Sequence, residues 1–124
     1  MASERDSTGL AGEKLAEKHL AGLGYKCIAR RYRAVVGELD LVFLEGRTVV
    51  FVEVKTQQSD RLLDPEARVT RTKQTALLKV ARWFLREKRL EDRPCRFDVV
   101  SVILAKTAPP EIRHIRDAFV PTRW

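Results

Sequence analysis

Residues 37–56 read GELDLVFLEGRTVVFVEVKT, and this stretch decides the fold. Its two halves, 37–44 and 48–56, are rich in Val, Leu and Phe, which favour β-strands. The short polar segment 45–47 between them is typical of a hairpin turn. The sequence therefore predicts an antiparallel hairpin at the centre of the protein, with acidic residues embedded in both of its strands.

The register of this hairpin determines which charged side chains meet. A two-residue turn at Glu45 and Gly46 makes Asp40 and Glu53 diagonal neighbours on one side of the ribbon, and Lys55 points the same way because side chains alternate along a strand. Diagonal pairs lie roughly 7–8 Å apart, so two carboxylates can hold one cation between them. A three-residue turn would break this arrangement by turning one strand over.

Two carboxylates, completed by a backbone carbonyl, water and phosphate oxygens, make a typical magnesium site on a phosphodiester. The predicted ligands are Asp40 and Glu53, and Mn²⁺ accepts the same oxygen ligands. The Lys55 ammonium can hold the attacking water and offset transition-state charge. Taken alone, Glu53 and Lys55 would be explained better as residues of a solvated strand face. Asp40 on the same side favours the metal site.

A helix is predicted before the hairpin, over residues 8–21, with residues 1–7 as a flexible N-terminus. Its apolar stripe runs through Ala16, Leu20 and Leu23, and Glu13 falls on the same stripe. A first-turn glutamate favoured by the helix dipole explains Glu13 as readily as a functional role does.

The remaining segments complete a single α/β domain over residues 8–124, in which helices flank a mixed sheet centred on the hairpin. Strands are predicted over 25–32 and 96–104, with Asp98 of the latter interpreted as a structural acid. A helix is predicted over 70–88, and 57–68 is interpreted as a mobile loop beside the site. Tyr32, Trp83 and Trp124 are assigned to packing in preference to base stacking.

Composition favours a polyanionic partner, because 24 Lys and Arg against 17 Asp and Glu leave a formal charge of +7. Nucleic acid is the first candidate, although anionic lipid attracts the same charges. We expect a cytoplasmic protein without a membrane partner, because the sequence contains neither a membrane-spanning apolar run nor a signal peptide. Cys27 and Cys95 are expected to be free thiols, and neither His19 nor His114 is assigned to a metal.

The order D, then E-x-K, in GELDLV and FVEVKT resembles the core of the PD-(D/E)xK nuclease superfamily. Over nearly its whole length the chain resembles the YraN-like family of uncharacterised bacterial proteins, which are similar to archaeal Holliday junction resolvases. The matching segments begin at five positions: Gly9 (G-x-x-G-E-K-L-A), Gly37 (GELDLV), Val50 (VFVEVKT), Val69 (VTRTKQ) and Arg96 (RFDVV). The resemblance implies a restriction-endonuclease-like core.

The resemblance also implies roles for particular residues. It implies that Asp40 and Glu53 bind the metal, that Lys55 is the catalytic lysine and that Glu13 is an acid contributed by the first helix. The chain departs from the family pattern at Arg30–Arg33, where R-N-x-R is frequent, and after Thr56, where a glycine is usual. The residues expected to contact nucleic acid are Arg31, Arg33, Arg71, Lys73, Gln74 and Lys79.

The predicted function is thus that of a Mg²⁺- or Mn²⁺-dependent endonuclease acting on DNA, with branched DNA as the substrate that the resemblance suggests. A homodimer is also expected, because resolvases need two sites for two strands. The alternative is a non-catalytic nucleic-acid-binding protein, or an adaptor, that retains the nuclease fold and its basic face.

Overall fold

The computed structural model describes residues 4–58 and 69–120. They form two helices and five strands, which confirms the predicted mixed α/β class. In chain order, the elements are α1 (Glu4–Gly22), β1 (Lys26–Ala34), β2 (Gly37–Glu45), β3 (Thr48–Gln58), α2 (Arg71–Glu87), β4 (Cys95–Leu104) and β5 (Glu111–Phe119). Across these ranges, neither helix has the length and apolar character needed to cross a membrane.

The strands form one sheet in the order β1-β2-β3-β4-β5. β3 and β4 are parallel, whereas the other three neighbouring pairs are antiparallel. The chain between β3 and β4 contains α2, as a parallel connection requires a long crossover. This mixed sheet with two helices is consistent with a restriction-endonuclease-like core.

Both faces of the sheet are covered by apolar side chains. On the face that we call the α2 face, Val80 and Phe84 of α2 pack against Phe51 of β3, and the two phenylalanine rings meet edge to face at 6.0 Å. On the opposite α1 face, Leu20 packs against Phe43. Complete burial of each such side chain contributes about 1.5–3 kcal/mol, so the alternating apolar residues of β2 and β3 fix the two layers.

The predicted register of the central hairpin is wrong by two residues. Glu45 pairs with Thr48, so the turn consists of Gly46 and Arg47 and not of Glu45 and Gly46. Gly46 has a φ of 60°, a left-handed conformation that glycine adopts without steric cost. A shift of two residues preserves the side on which each side chain points.

The ends of the elements also differ from the prediction. α1 begins at Glu4, earlier than the predicted start at residue 8, and residues 1–3 lie outside the described ranges. Leu23 is not part of the apolar stripe, since it follows the end of α1 and is 56% exposed.

Further expectations concern the loop after β3, the last residue and the two cysteines. β3 continues to Gln58, so the predicted loop is wrong at its first two residues, and 59–68 lie outside the described residues, as does Trp124. β5 was not predicted. Cys27 and Cys95 are free, as expected.

Candidate active site

Asp40 lies where the regular pairing of β2 with β3 ends. The ladder stops at Leu41 opposite Val52, and beyond it the Val54 backbone N–H donates a hydrogen bond to Asp40 Oδ2 at 2.9 Å. The Asp40 carboxylate therefore takes the place of a backbone acceptor and is held against β3.

The alternation of side chains along β2 is interrupted at this residue. Leu39 packs in the core of the α2 face and Leu41 in that of the α1 face, although they are two residues apart. Across β1, Arg31 lies between two paired residues and has a left-handed φ of 46°. Side chains therefore do not alternate uniformly along β2, because both strands are locally distorted here.

Glu53 and Lys73 form an ion pair next to Asp40. Extending the β2–β3 register by one residue would place Glu53 opposite Asp40. Lys73, in the first turn of α2, brings Nζ to 3.1 Å from Glu53 Oε1. The Glu53 side chain is only 13% exposed, against 53% for Lys73. Lys55 stands two residues after Glu53 in an uninterrupted strand, and so on the same face.

Glu13 reaches this cluster from the other helix. Gly12 is buried against β3, and a Cβ at this position would overlap the Thr56 hydroxyl. The absence of a side chain therefore allows α1 to approach the sheet closely. Glu13 accepts two hydrogen bonds from Arg31, with Nε at 2.9 Å from Oε1 and Nη2 at 3.4 Å from Oε2.

The electrostatics of the cluster centre on Asp40. Burial and then the negative charges of Glu53 and Glu13 together raise the pKa of Asp40 to about 7, against the opposing effects of the Val54 hydrogen bond and of Lys73. The Glu53 carboxylate in turn raises the pKa of Lys73. Two cations thus neutralise the Glu13 and Glu53 carboxylates, while the surroundings of Asp40 favour its protonated form.

The donor chemistry of this cluster suits a hard divalent cation. Mg²⁺ prefers oxygen ligands and binds through one or two carboxylates together with water and substrate phosphate. Asp40 provides one such carboxylate and Glu53, although paired with Lys73, a second, whereas Glu13 is held by two hydrogen bonds from Arg31. Within residues 4–58 and 69–120, no three His, Cys, Asp or Glu side chains are gathered as a metal-binding group. Asp40 and Glu53 are thus the two side chains of this cluster whose chemistry suits such a cation.

The residues expected to contact nucleic acid are in three situations. Arg31 and Arg33 are each paired with a glutamate, Arg31 with Glu13 and Arg33 with Glu38. Lys73 belongs, with Glu13, Asp40 and Glu53, to the group that we call the acidic cluster. Gln74 donates a hydrogen bond to the Val69 carbonyl at 2.8 Å. Arg71 and Lys79 are exposed on α2. Only these last two are presented to solvent without an ion pair in the described part of the chain.

The segment VTRTKQ, residues 69–74, forms the start of α2. The Thr70 hydroxyl accepts a hydrogen bond from the Lys73 backbone N–H at 3.1 Å, which caps the helix. Gln74 ties the same turn to Val69. This segment therefore fixes the first turn of α2 and, with it, the position from which Lys73 reaches Glu53.

A second charged cluster lies on β4 and β5, and sequence reasoning missed most of it. Asp98 is 1% exposed and accepts two hydrogen bonds from Arg96, at 3.0 and 3.3 Å, and one from the Asp117 backbone. His114 Nε2 lies 2.7 Å from the same carboxylate. Asp98 is thus the structural acid that was predicted. The contacts of His114 and of the Asp117 backbone depend on β5, which has no clear sequence pattern, whereas Arg96 is also bound by Glu45 and Tyr25.

The model of the uncharacterised protein family UPF0102 matches residues 12–102. A UPF0102 protein of Geotalea uraniireducens (strain Rf4) is 42% identical over 117 residues, which cover 94% of this chain and 92% of the relative. A UPF0102 protein of Geobacter metallireducens (strain ATCC 53774 / DSM 7210 / GS-15) is 40% identical over 119 residues, 96% of this chain and 97% of the relative. The range 12–102 that the family model matches contains the four residues of the acidic cluster, which are Glu13, Asp40, Glu53 and their neighbour Lys73.

Proposed function

Since the chain belongs to the uncharacterised protein family UPF0102, which specifies no activity, we propose from the site itself that the protein is a Mg²⁺- or Mn²⁺-dependent endonuclease that hydrolyses phosphodiester bonds in DNA. Branched DNA is the substrate that we infer. A cytoplasmic location and a homodimer with two sites are part of the same proposal. Light scattering that detects only a monomer at high protein concentration would contradict the dimer.

One observation carries this proposal: Asp40 and Glu53 are packed so that the Asp40 pKa is raised to about 7, by burial and then by the Glu53 charge. Side chains held in such an unfavourable state are common at functional sites. A divalent cation between the two carboxylates would relieve their repulsion. The formal charge of +7 supports a polyanionic substrate.

The proposed mechanism assigns one task to each residue. Asp40, fixed by the Val54 N–H, and Glu53 hold the metal. When bound, the metal supplies charge for the phosphate and lowers the pKa of a water molecule. Lys55 holds the attacking water and offsets negative charge in the transition state. Glu13 is an accessory acid.

The test is cleavage of a four-way DNA junction, a flap and a linear duplex with Mg²⁺, with Mn²⁺ or with EDTA. We expect metal-dependent cleavage that falls at least 100-fold in Asp40→Asn and Glu53→Gln, because each removes a metal ligand, and in Lys55→Ala. Glu91→Gln is the matched control, since Glu91 is an exposed acid after α2. Cleavage of the junction in preference to the duplex would support the inferred substrate.

A second candidate function is that of a non-catalytic nucleic-acid-binding protein. It is favoured by the ion pairs from Arg31 to Glu13 and from Lys73 to Glu53, since the protein's own cations neutralise these carboxylates. Such a protein would bind DNA with a steep salt dependence, and the Asp40→Asn variant would have the same DNA affinity as the parent. Absence of cleavage on every substrate, with unchanged binding in the variants, would select this function.

A further inference from the structure

The solvent-exposed face of α2 carries three cations and a tryptophan in one stripe. Lys79, Arg82, Trp83 and Arg86 are spaced i, i+3, i+4 and i+7, which places them together on one side of a helix. All four side chains are exposed, and Trp83 keeps 44% of its surface in contact with solvent. We call these four residues the α2 stripe.

The cations of the α2 stripe have no acidic partner within residues 4–58 and 69–120. Lys79, Arg82 and Arg86 form no ion pair with any described residue, and the only acid of α2 is Glu87, which is paired with Lys88. The arginines of β1 differ, because each is paired with a glutamate. The α2 stripe is therefore a place where the excess positive charge of the protein is available to a partner.

Trp83 does not have the packing role that was predicted for it. The adjacent Phe84 and Leu85 are the residues of this turn that enter the core. Trp83 has no ring contact within the described part of the chain, whereas Tyr32 packs on Phe84 with ring centroids 5.0 Å apart. A large aromatic side chain left exposed among cations is a surface suited to stacking and to anions.

We propose that the α2 stripe binds single-stranded nucleic acid, with Trp83 stacking on an unpaired base and Lys79, Arg82 and Arg86 contacting the phosphates on either side. Stacking needs a base whose face is free, which a duplex does not offer away from its ends. A second copy of this chain is a poorer occupant, because α2 against α2 would bring like charges together.

This inference rests on the proposed function and specifies its substrate. Lys73, at the acidic cluster, and Trp83 are ten residues apart in α2, which corresponds to about 15 Å along the helix axis. A strand bound on the α2 stripe can therefore lead to the acidic cluster. The substrate would be DNA that contains unpaired bases near the bond that is cut, as at a flap or an open junction.

The experiment measures binding in EDTA, so that no cleavage occurs. The protein carries Trp124→Phe, which leaves Trp83 as its only tryptophan. Titration with a thymidine oligonucleotide should quench Trp83 fluorescence and give at least fivefold tighter binding than a duplex of equal length. Trp83→Ala should weaken oligonucleotide binding about tenfold, judged by anisotropy of a labelled strand, and Trp83→Phe should retain most of it. Lys79→Ala should weaken binding to both nucleic acids and reduce the salt slope by about one.

Two results would overturn the inference. Unchanged oligonucleotide affinity in Trp83→Ala would mean that the stripe recognises phosphates only. Dimer dissociation in Trp83→Ala, measured by light scattering, would assign the stripe to a second copy of the chain. Neither result affects the proposed nuclease, which is tested separately by cleavage with metal, whereas absence of binding to both nucleic acids would overturn both proposals.

Discussion

Asp40 on β2 is partly buried and Asp98 on β4 is fully buried, and their surroundings shift the two pKa values in opposite directions. Burial alone would raise the pKa of Asp98, but hydrogen bonds from His114, Arg96 and the Asp117 backbone hold it below its ordinary value. Asp40 has one backbone hydrogen bond and two acidic neighbours, and burial together with their charges raises its pKa to about 7. A carboxylate whose oxygens are all satisfied stabilises the fold, whereas one that faces other carboxylates is suited to receive a cation.

The largest effect is expected when the satisfied aspartate is removed. Asp98→Ala removes the buried carboxylate that pairs with Arg96 and contacts His114, and leaves Glu45 as the acidic partner of Arg96. It should lower the free energy of unfolding by about 3–5 kcal/mol. His114→Ala removes one contact of the same carboxylate and should cost about 1–2 kcal/mol. Urea denaturation measures both, with Glu91→Gln as the control. An Asp98→Ala protein as stable as the parent would contradict the structural role of Asp98.

The unsatisfied aspartate should behave in the opposite way. Because the pKa of Asp40 is about 7 in the folded protein and about 3.9 in an unfolded chain, the folded state holds more protons between these values. Metal-free stability should therefore fall as the pH rises from about 4 to 7, and then level off. Asp40→Asn mimics the protonated form, so it should be more stable than the parent by about 1–3 kcal/mol at pH 8 and similar at pH 4.

Urea midpoints of both proteins at four pH values, in EDTA, measure this difference. The contribution of Asp98 has the reverse sign, since a lowered pKa gives stability that is lost as the pH falls below about 4. A parent and an Asp40→Asn variant with parallel pH profiles would show that Asp40 has an ordinary pKa, and would remove the main support for the metal site.

Sequence reasoning succeeded where the pattern is local. The apolar runs of β2 and β3 and the stripe of α2 follow from periodicity. The pairing of Asp40 and Glu53 on one hairpin followed too, even though the turn is Gly46 and Arg47, because both registers keep each side chain on the same side.

The contacts that decide the difference between the two aspartates are not local. The break in alternation at Asp40 depends on Arg31, which takes its left-handed conformation in the neighbouring strand. The ion pair of Lys73 with Glu53 joins a helix to a strand 20 residues away in sequence. The Asp98 cluster needs β5, whose exposed residues are mostly charged and show no strand alternation. The spacing of residues along the sequence does not predict these contacts between distant segments.

A third prediction concerns the close contact that brings α1 to the acidic cluster. Gly12→Ala would overlap the Thr56 hydroxyl and should cost about 1–3 kcal/mol through overpacking. Because α1 carries Glu13 but does not carry any partner of Asp98, the displacement should lower cleavage while the Asp98 cluster is unaffected. Thr56→Ala in the same protein removes the overlapping hydroxyl and should recover part of both losses in urea denaturation and cleavage assays. Equal stability of Gly12→Ala and the parent would contradict the close packing.

The smallest expected effect shows whether Lys73 competes with a metal ion for the acidic cluster or helps the cluster to bind it. Lys73 holds Glu53 at 3.1 Å, so a metal ion must displace it or bind beside its charge. Lys73→Ala should therefore bind Mn²⁺ several-fold more tightly than the parent in calorimetric titration. It should bind DNA more weakly, because the variant lacks a cation that is expected to contact the phosphates. Lys79→Ala, an exposed cation of the α2 stripe, should weaken DNA binding without changing metal affinity. Weaker metal binding in Lys73→Ala would instead mean that the lysine arranges the carboxylates for the metal, and the difference between the two aspartates would then depend on Lys73 as much as on burial.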